Sequence, residues 1–140
     1  MKKFNLLYIL LIGLCIVSAC SKDNNPAESN GDNLVGTWVL TKITVVSGGN
    51  LEINPSSIGT SATIIIKSDR TFTATTTDAE GTTTETGTWS VANGKITMKT
   101  SDGTSEEIPY TLNGNKLTIE TVMEIAAFGQ VNAKLEFTKQ

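Results

Sequence analysis

From residue 34 onward the sequence predicts an all-β fold, an eight-stranded antiparallel up-and-down barrel with no substantial helix. Three observations predict it. Thr, Val and Ile recur in alternation with polar residues, the period of a strand with one face buried. Turn-forming residues interrupt that alternation at short intervals, as in small sandwiches and barrels. When the strands are laid up and down in chain order, the bulky apolar side chains of the inward parity gather at one end. No segment of ten or more residues shows helical periodicity with caps.

The chain has 140 residues, enough for one domain. Its start differs from the rest. Lys2 and Lys3 precede an almost wholly apolar run, 6–17, and no acid occurs before Asp23. A basic start, a short apolar stretch and a small-residue exit describe a secretory signal; a membrane-spanning helix needs about 20 apolar residues. The exit, Val17-Ser18-Ala19-Cys20, resembles the bacterial lipobox. That resemblance implies cleavage before Cys20, a diacylated Cys20 Sγ carrying palmitate-like chains, and an acylated new amino terminus. Several buried acyl chains anchor stably where one does not, so the lipid bilayer is the first expected partner. The expected organisation is a signal peptide at 1–19, a lipidated cysteine and tether at 20–33, and a barrel at 34–140.

Residues 21–33, SKDNNPAESNGDN, hold no large apolar side chain and cannot bury enough surface to fold. As a flexible coil they span roughly 20 Å. Their start, Ser21-Lys22-Asp23, loosely resembles the polar and acidic tags that direct some Gram-negative lipoproteins to the cell surface. The expected location is the cell envelope, lipid-anchored at the outer membrane on its periplasmic face or at the cell surface. Cys15 falls in the discarded segment, which leaves one cysteine and no disulfide or thiolate metal site. Loss of Lys2 and Lys3 takes the cations from 11 to 9 against 14 anions, a mature charge near −5. That balance argues against nucleic acid or anionic headgroups as partners.

Strands are expected at about 35–46, 61–68, 71–78, 82–91, 95–100, 106–112, 116–125 and 131–138. In the first, Trp38 and Leu40 share one parity and Ile43 and Val45 the other. Either a bulge near Thr41-Lys42 reconciles them or Ile43 and Val45 form an outward strip; the bulge also bends the strand as closure requires. Asn93-Gly94 is a strong two-residue hairpin signal, because both positions need positive φ. Asn113-Gly114-Asn115 and Ser68-Asp69-Arg70-Thr71 are two further tight turns, and all three fall at one end. The long connection 47–60 falls at the other, with 78–81, 101–105 and 126–130.

The inward parity at the tight-turn end carries Trp38, Ile66, Phe72, Trp89, Ile96, Leu112, Leu117 and Phe137. The opposite end carries Ala62, Thr76, Thr83, Glu85, Thr100, Ile108, Met123 and Ala133. One end is packed and the other small or polar, and an eight-stranded barrel is just wide enough to fill or to hold one small ligand.

Leu34-Val35-Gly36-Thr37-Trp38 resembles the Gly-x-Trp opening of lipocalins and of the smaller lipocalin-like domains of Gram-negative lipoproteins. The resemblance extends through Asp69-Arg70-Thr71-Phe72, Gly87-Thr88-Trp89-Ser90-Val91 and Gly94-Lys95-Ile96, and covers about 34–138. It implies a barrel closed at one end, with a hydrophobic ligand often held in the cup. Trp38 takes the closed-end plug by that resemblance, and Trp89 shares the packed end. The chain departs from lipocalins proper in three ways. Only Lys134 and Lys139 stand where an arginine late in the chain covers the tryptophan; the Thr-Asp-Tyr-like second motif is absent; and no helix follows the barrel. The departures favour the small bacterial lipocalin-like group.

Enzyme signatures are missing: no G-x-S-x-G elbow, no phosphate-binding G-x-x-x-x-G-K-[ST] loop, no H-E-x-x-H, and no histidine to serve as a base. No enzyme activity, cofactor or metal is expected. Glu106 and Glu107 are neighbours on a strand and point to opposite faces. Asp102 and Glu120 read as turn and surface residues. Glu85 reads as the one inward carboxylate, near the mouth; it is a polar anchor for a ligand headgroup, a base with raised pKa if desolvated, or a solvated residue on a hairpin projecting past the barrel. The threonine-rich run 71–88 needs no more than β-propensity and solubility. Met123, Ile125 and Phe128 continue the core, line a pocket or face a partner.

Two function classes remain open. A binding module would hold a small apolar or amphipathic molecule against Thr76, Glu85, Met98, Ile108, Tyr110 and Met123. A filled barrel would act through its outside, with 47–60 and 126–130 contacting a protein partner, as an inhibitor of an envelope enzyme or an accessory subunit of a surface complex.

Overall fold

The computed structural model describes residues 31–46, 49–125 and 129–140. The expected signal peptide, Cys20 and nearly all of the tether lie outside the described residues, as does Phe128. The strands are β1 (Gly36–Val45), β2 (Leu51–Ile53), β3 (Ser61–Ile66), β4 (Thr71–Asp78), β5 (Gly81–Ala92), β6 (Lys95–Thr100), β7 (Ser105–Asn113), β8 (Lys116–Ile125) and β9 (Gly129–Lys139). β1 and β3 to β9 pair antiparallel in chain order, and β9 returns to β1 to close an eight-stranded barrel.

Closure depends on a bulge. On β1, Leu40 lies opposite Phe137, but the next partner of Glu136 is Lys42, so Thr41 is the extra residue. One added residue reverses the parity, and Trp38, Leu40, Ile43 and Val45 are all buried. The Thr41 hydroxyl is turned out and donates to Glu136 O at 3.1 Å.

The long connection 47–60 is more ordered than a loop. β2 pairs with the second half of β1, continuing the edge that β3 leaves at Val39. Pro55–Ile58 then forms a 3-10 turn with Pro55 at its start, where a missing N–H costs nothing. The Asn54 side chain caps it by accepting from Ser56 N, and Gly59 leaves it in the left-handed region. β2 holds only three residues, two of them exposed, so alternation could not reveal it.

At the pole of the tight turns, Asn93 and Gly94 both take positive φ, 52° and 72°. Arg70 does likewise at 67°, in a turn held by the Asp69 carboxylate accepting from Thr71 N and Oγ1. Above these turns Trp38, Ile66, Phe72, Trp89, Ile96, Leu117 and Phe137 form one buried cluster with Leu34 beneath; Leu112, nearer the rim, is half-buried. Trp38 Nε1 donates to Leu34 O at 2.7 Å, and Trp89 Nε1 donates to Lys67 O at 3.0 Å, so neither indole is buried with an unmet donor. A cation covers each ring: Lys139 Nζ stands 5.3 Å from the Trp38 centroid and Arg70 Cζ 4.5 Å from that of Trp89. Lys139 lies opposite Trp38 in the ladder and also donates to Asn33 O. Of the two late lysines, it is Lys139 that covers the tryptophan; Lys134 pairs with Glu120 on the outer face.

The opposite half is not uniformly roomy. Val45, Ile125 and Val131 form a second buried cluster beside β1, β8 and β9, and Ala133 and Thr100 are buried as well.

Gly87 on β5 sits where β5 and β6 approach most closely, and a Cβ there would strike the Lys99 carbonyl and the Thr100 Cα. Gly87→Ala should therefore lower stability by about 1–3 kcal/mol in urea unfolding, with the m-value unchanged.

Candidate functional site

Residues directly opposite in an antiparallel ladder share a face, so the register assigns the interior. Ala74 lies opposite Glu85, Trp89 opposite Met98, Met98 opposite Glu106 and Ile96 opposite Ile108. Trp89 and Ile96 are core residues; hence Glu85, Met98, Glu106 and Ile108 all face the barrel axis. Tyr110, opposite core residue Ile119, and Met123, opposite buried Val131, do the same. Every one of these side chains is only half-buried, whereas inward residues at the tryptophan pole are nearly all fully buried. An axial side chain that keeps contact with solvent marks an open cup.

The wall itself is parted. β7 and β8 pair only from Tyr110 opposite Ile119 to Asn113 opposite Lys116, although β7 begins at Ser105 and β8 runs on to Ile125. Pro109, which has no N–H to give, is the first residue beyond the last rung. Between the separated strands lies a cleft of about 630 Å³. Its lining mixes inward residues (Glu106, Ile108, Thr121, Ala133) with outward ones such as Glu107 and Glu120, so the cleft opens on the outer face of the wall and reaches inward side chains at its floor. The outer lip is charged and paired: Lys95 with Glu107 at 3.3 Å and Lys134 with Glu120 at 2.9 Å.

Of the six residues expected to line a ligand, Met98, Ile108, Tyr110 and Met123 pack half-buried against the core, and Ile108 reaches the cleft. Met123 also belongs to the second cluster. Thr76 stands opposite Thr83, one inward step beyond Glu85, at the rim. Glu85 lies two residues past the last β5–β6 rung, Gly87 opposite Thr100, where β5 is flanked by β4 alone; its partner there, Ala74, packs against the core. It is not the one inward carboxylate. Glu106 faces the axis too, and its shared parity with Ile108 and Tyr110 was the signal available in the sequence.

Burial, and then the negative charge of Asp102, pushes the Glu85 carboxyl above its ordinary pKa. Burial, and then Glu85, does the same to Glu106. Asp102, in the turn between β6 and β7, is held below the ordinary range chiefly by the Thr100 hydroxyl and then by Thr104. Among the described residues no ion pair reaches Glu85 or Glu106 and no group of carboxylates suits a metal ion.

An eight-stranded up-and-down barrel, stoppered at one pole by the tryptophan of its first strand and open at the other, defines a lipocalin-type barrel. The chain belongs to the lipocalin-like domain family, whose profile matches residues 34–119. Among solved structures it is similar to a lipocalin-like protein from Bacteroides uniformis, with 17% identity and a TM-score of 0.52, over 77% of this chain and 99% of that one. It is also similar to an uncharacterized protein from Bacteroides eggerthii, with 12% identity and a TM-score of 0.50, over 76% and 98% of the two chains. At these identities the likeness is one of fold. No curated protein matches the chain.

A carboxyl whose folded pKa lies above its unfolded value weakens the fold where it is ionised. The penalty is absent below the unfolded pKa and complete above the folded one. Glu106→Gln should therefore raise the melting temperature at pH 7.5, and the gain should vanish below about pH 4. Thermal melts of both proteins at the two pH values check this.

Proposed function

We propose that the protein is a lipid-anchored binding module, without enzymatic activity, that holds a small amphipathic molecule in the open half of its barrel. The observation that carries this reading is the half-exposed axial face formed by Met98, Ile108, Tyr110 and Met123, beside a wall cleft of about 630 Å³ that Ile108 reaches. Ligand pockets are commonly about 300–1,000 Å³, mostly apolar, with a few polar groups. The anchor in this reading is the acylated Cys20. The chain enters at the tryptophan pole, so the tether would turn the open half away from the membrane of the cell envelope, toward the surrounding fluid. That orientation suits capture from solution better than extraction from a bilayer.

A second reading has an observation of its own. Val46, Leu51 and Ile58 expose 41%, 46% and 38% of their surface around the segment that holds β2. A protein partner seated there would cover them, as for an enzyme inhibitor or an accessory subunit.

Native mass spectrometry of gently purified protein separates the two. Extra mass released by organic solvent supports the cup; a bare mass together with a stoichiometric co-purifying protein supports the outer surface. For the anchor, Cys20→Ala should abolish incorporation of labelled palmitate and move the protein from the membrane to the soluble fraction. Continued labelling of that variant would overturn lipidation at Cys20.

A further inference from the structure

The axial face of the open half carries charge of one sign. Glu85 and Glu106 face the axis from β5 and β7: Glu106 lies opposite Met98 on the intervening β6, and Glu85 stands four residues along β5 from Trp89, the other partner of Met98. The lysines of the wall point the other way. Lys42 and Lys116 reach the outward Glu136, and Lys95 and Lys134 pair with outward carboxylates at the lip of the cleft. Lys99 lies between the inward Met98 and Thr100 and so faces out. Lys139 faces the axis at the opposite pole, over Trp38. Among the described residues, no cation faces the cup.

The connections repeat the pattern. Those at the open end, 46–60, 79–80, 101–104 and 126–128, contain Glu52, Glu80 and Asp102 and no lysine or arginine. At the closed end the turn 67–70 carries Lys67 and Arg70 with Asp69, Lys95 and Lys116 flank the other two chain reversals, and Lys139 ends β9. The field of such a barrel draws cations toward the mouth and repels anions. Inside, the half-buried carboxylates lie beside apolar side chains, where an opposite charge is attracted more strongly than in open solvent.

From this placement, together with the cleft, we infer that the cup selects a cationic amphiphile. An ammonium or guanidinium headgroup sits between Glu85 and Glu106, and its apolar body lies on Met98, Ile108 and Tyr110. The inference rests on the cup reading and names the ligand class. It also accounts for two carboxylates kept inside a barrel where leucine or threonine would pack at no electrostatic cost. Anionic amphiphiles such as fatty acids are excluded by the same charges.

The test uses the purified protein and three probes of equal chain length, dodecylamine, dodecanol and dodecanoate, each below its micellar concentration, followed by calorimetry. Dodecylamine should bind at least about tenfold tighter than dodecanol, with dodecanoate weakest. The double variant Glu85→Gln, Glu106→Gln should bring dodecylamine and dodecanol to within about a factor of two of each other. Circular dichroism reports whether that variant is folded, and a single Glu106→Gln should already shrink the preference. Dodecanol and dodecanoate binding as well as dodecylamine would overturn charge selection while leaving the cup reading intact. Failure of all three probes to bind would overturn both.

Discussion

The return of β9 to β1 across the Thr41 bulge is the constraint on which the molecule depends. An open sheet with the same strands would have two faces and two free edges. Closure converts those faces into an inside and an outside, and the added residue puts Trp38 and Leu40 on the same side as Ile43 and Val45. Without it, half of β1 would turn apolar side chains to water and polar ones into the core. A one-residue slip changes every assignment along a strand, so the bulge governs the face of every residue that follows it on β1.

Given an inside, the two poles are built on different terms. The tryptophan pole is a packed interior with every polar atom met: each indole N–H has a backbone carbonyl and each ring a cation above it. The other pole retains inward carboxylates, and their raised pKa values are the sign that the surroundings resist ionisation. Residues that weaken a fold where they stand are commonest where a protein does its work. The contrast between a packed pole and one that keeps half-exposed inward carboxylates, and not the barrel as such, distinguishes the two halves of the molecule.

Much of this was legible beforehand. Eight strands, the tight turns at Asn93-Gly94, Asn113-Gly114-Asn115 and 68–71, and the bulge all follow from alternation and turn chemistry, which are local properties. What escaped is non-local or below the length at which a pattern exists. β2 has three residues and acquires its identity from β1 beside it. The parting of β7 from β8 concerns how two strands diverge; Pro109 inside a strand was the one local hint. Glu106 was readable from its parity with Ile108, yet its setting beside Glu107 says only that the two point to opposite faces and does not assign it to the inside. The buried trio Val45, Ile125 and Val131 shows that the open half is narrower than parity alone implied.

The two ends of the described chain meet at the same pole. Gln140 N–H donates to Thr37 O at 3.0 Å, Lys139 N–H to Asn115 O at 2.8 Å, and the Lys139 ammonium to Asn33 O at 3.2 Å. Tension arriving through the segment before Asp32 therefore enters β1 along its axis, flanked by β9 on one side and by β3, then β2, on the other. The rungs lie across that direction and are loaded together in shear, where a hairpin pulled from its open end would unzip one rung at a time. A pull at that end is thus shared along the length of β1, at the pole opposite the open rim.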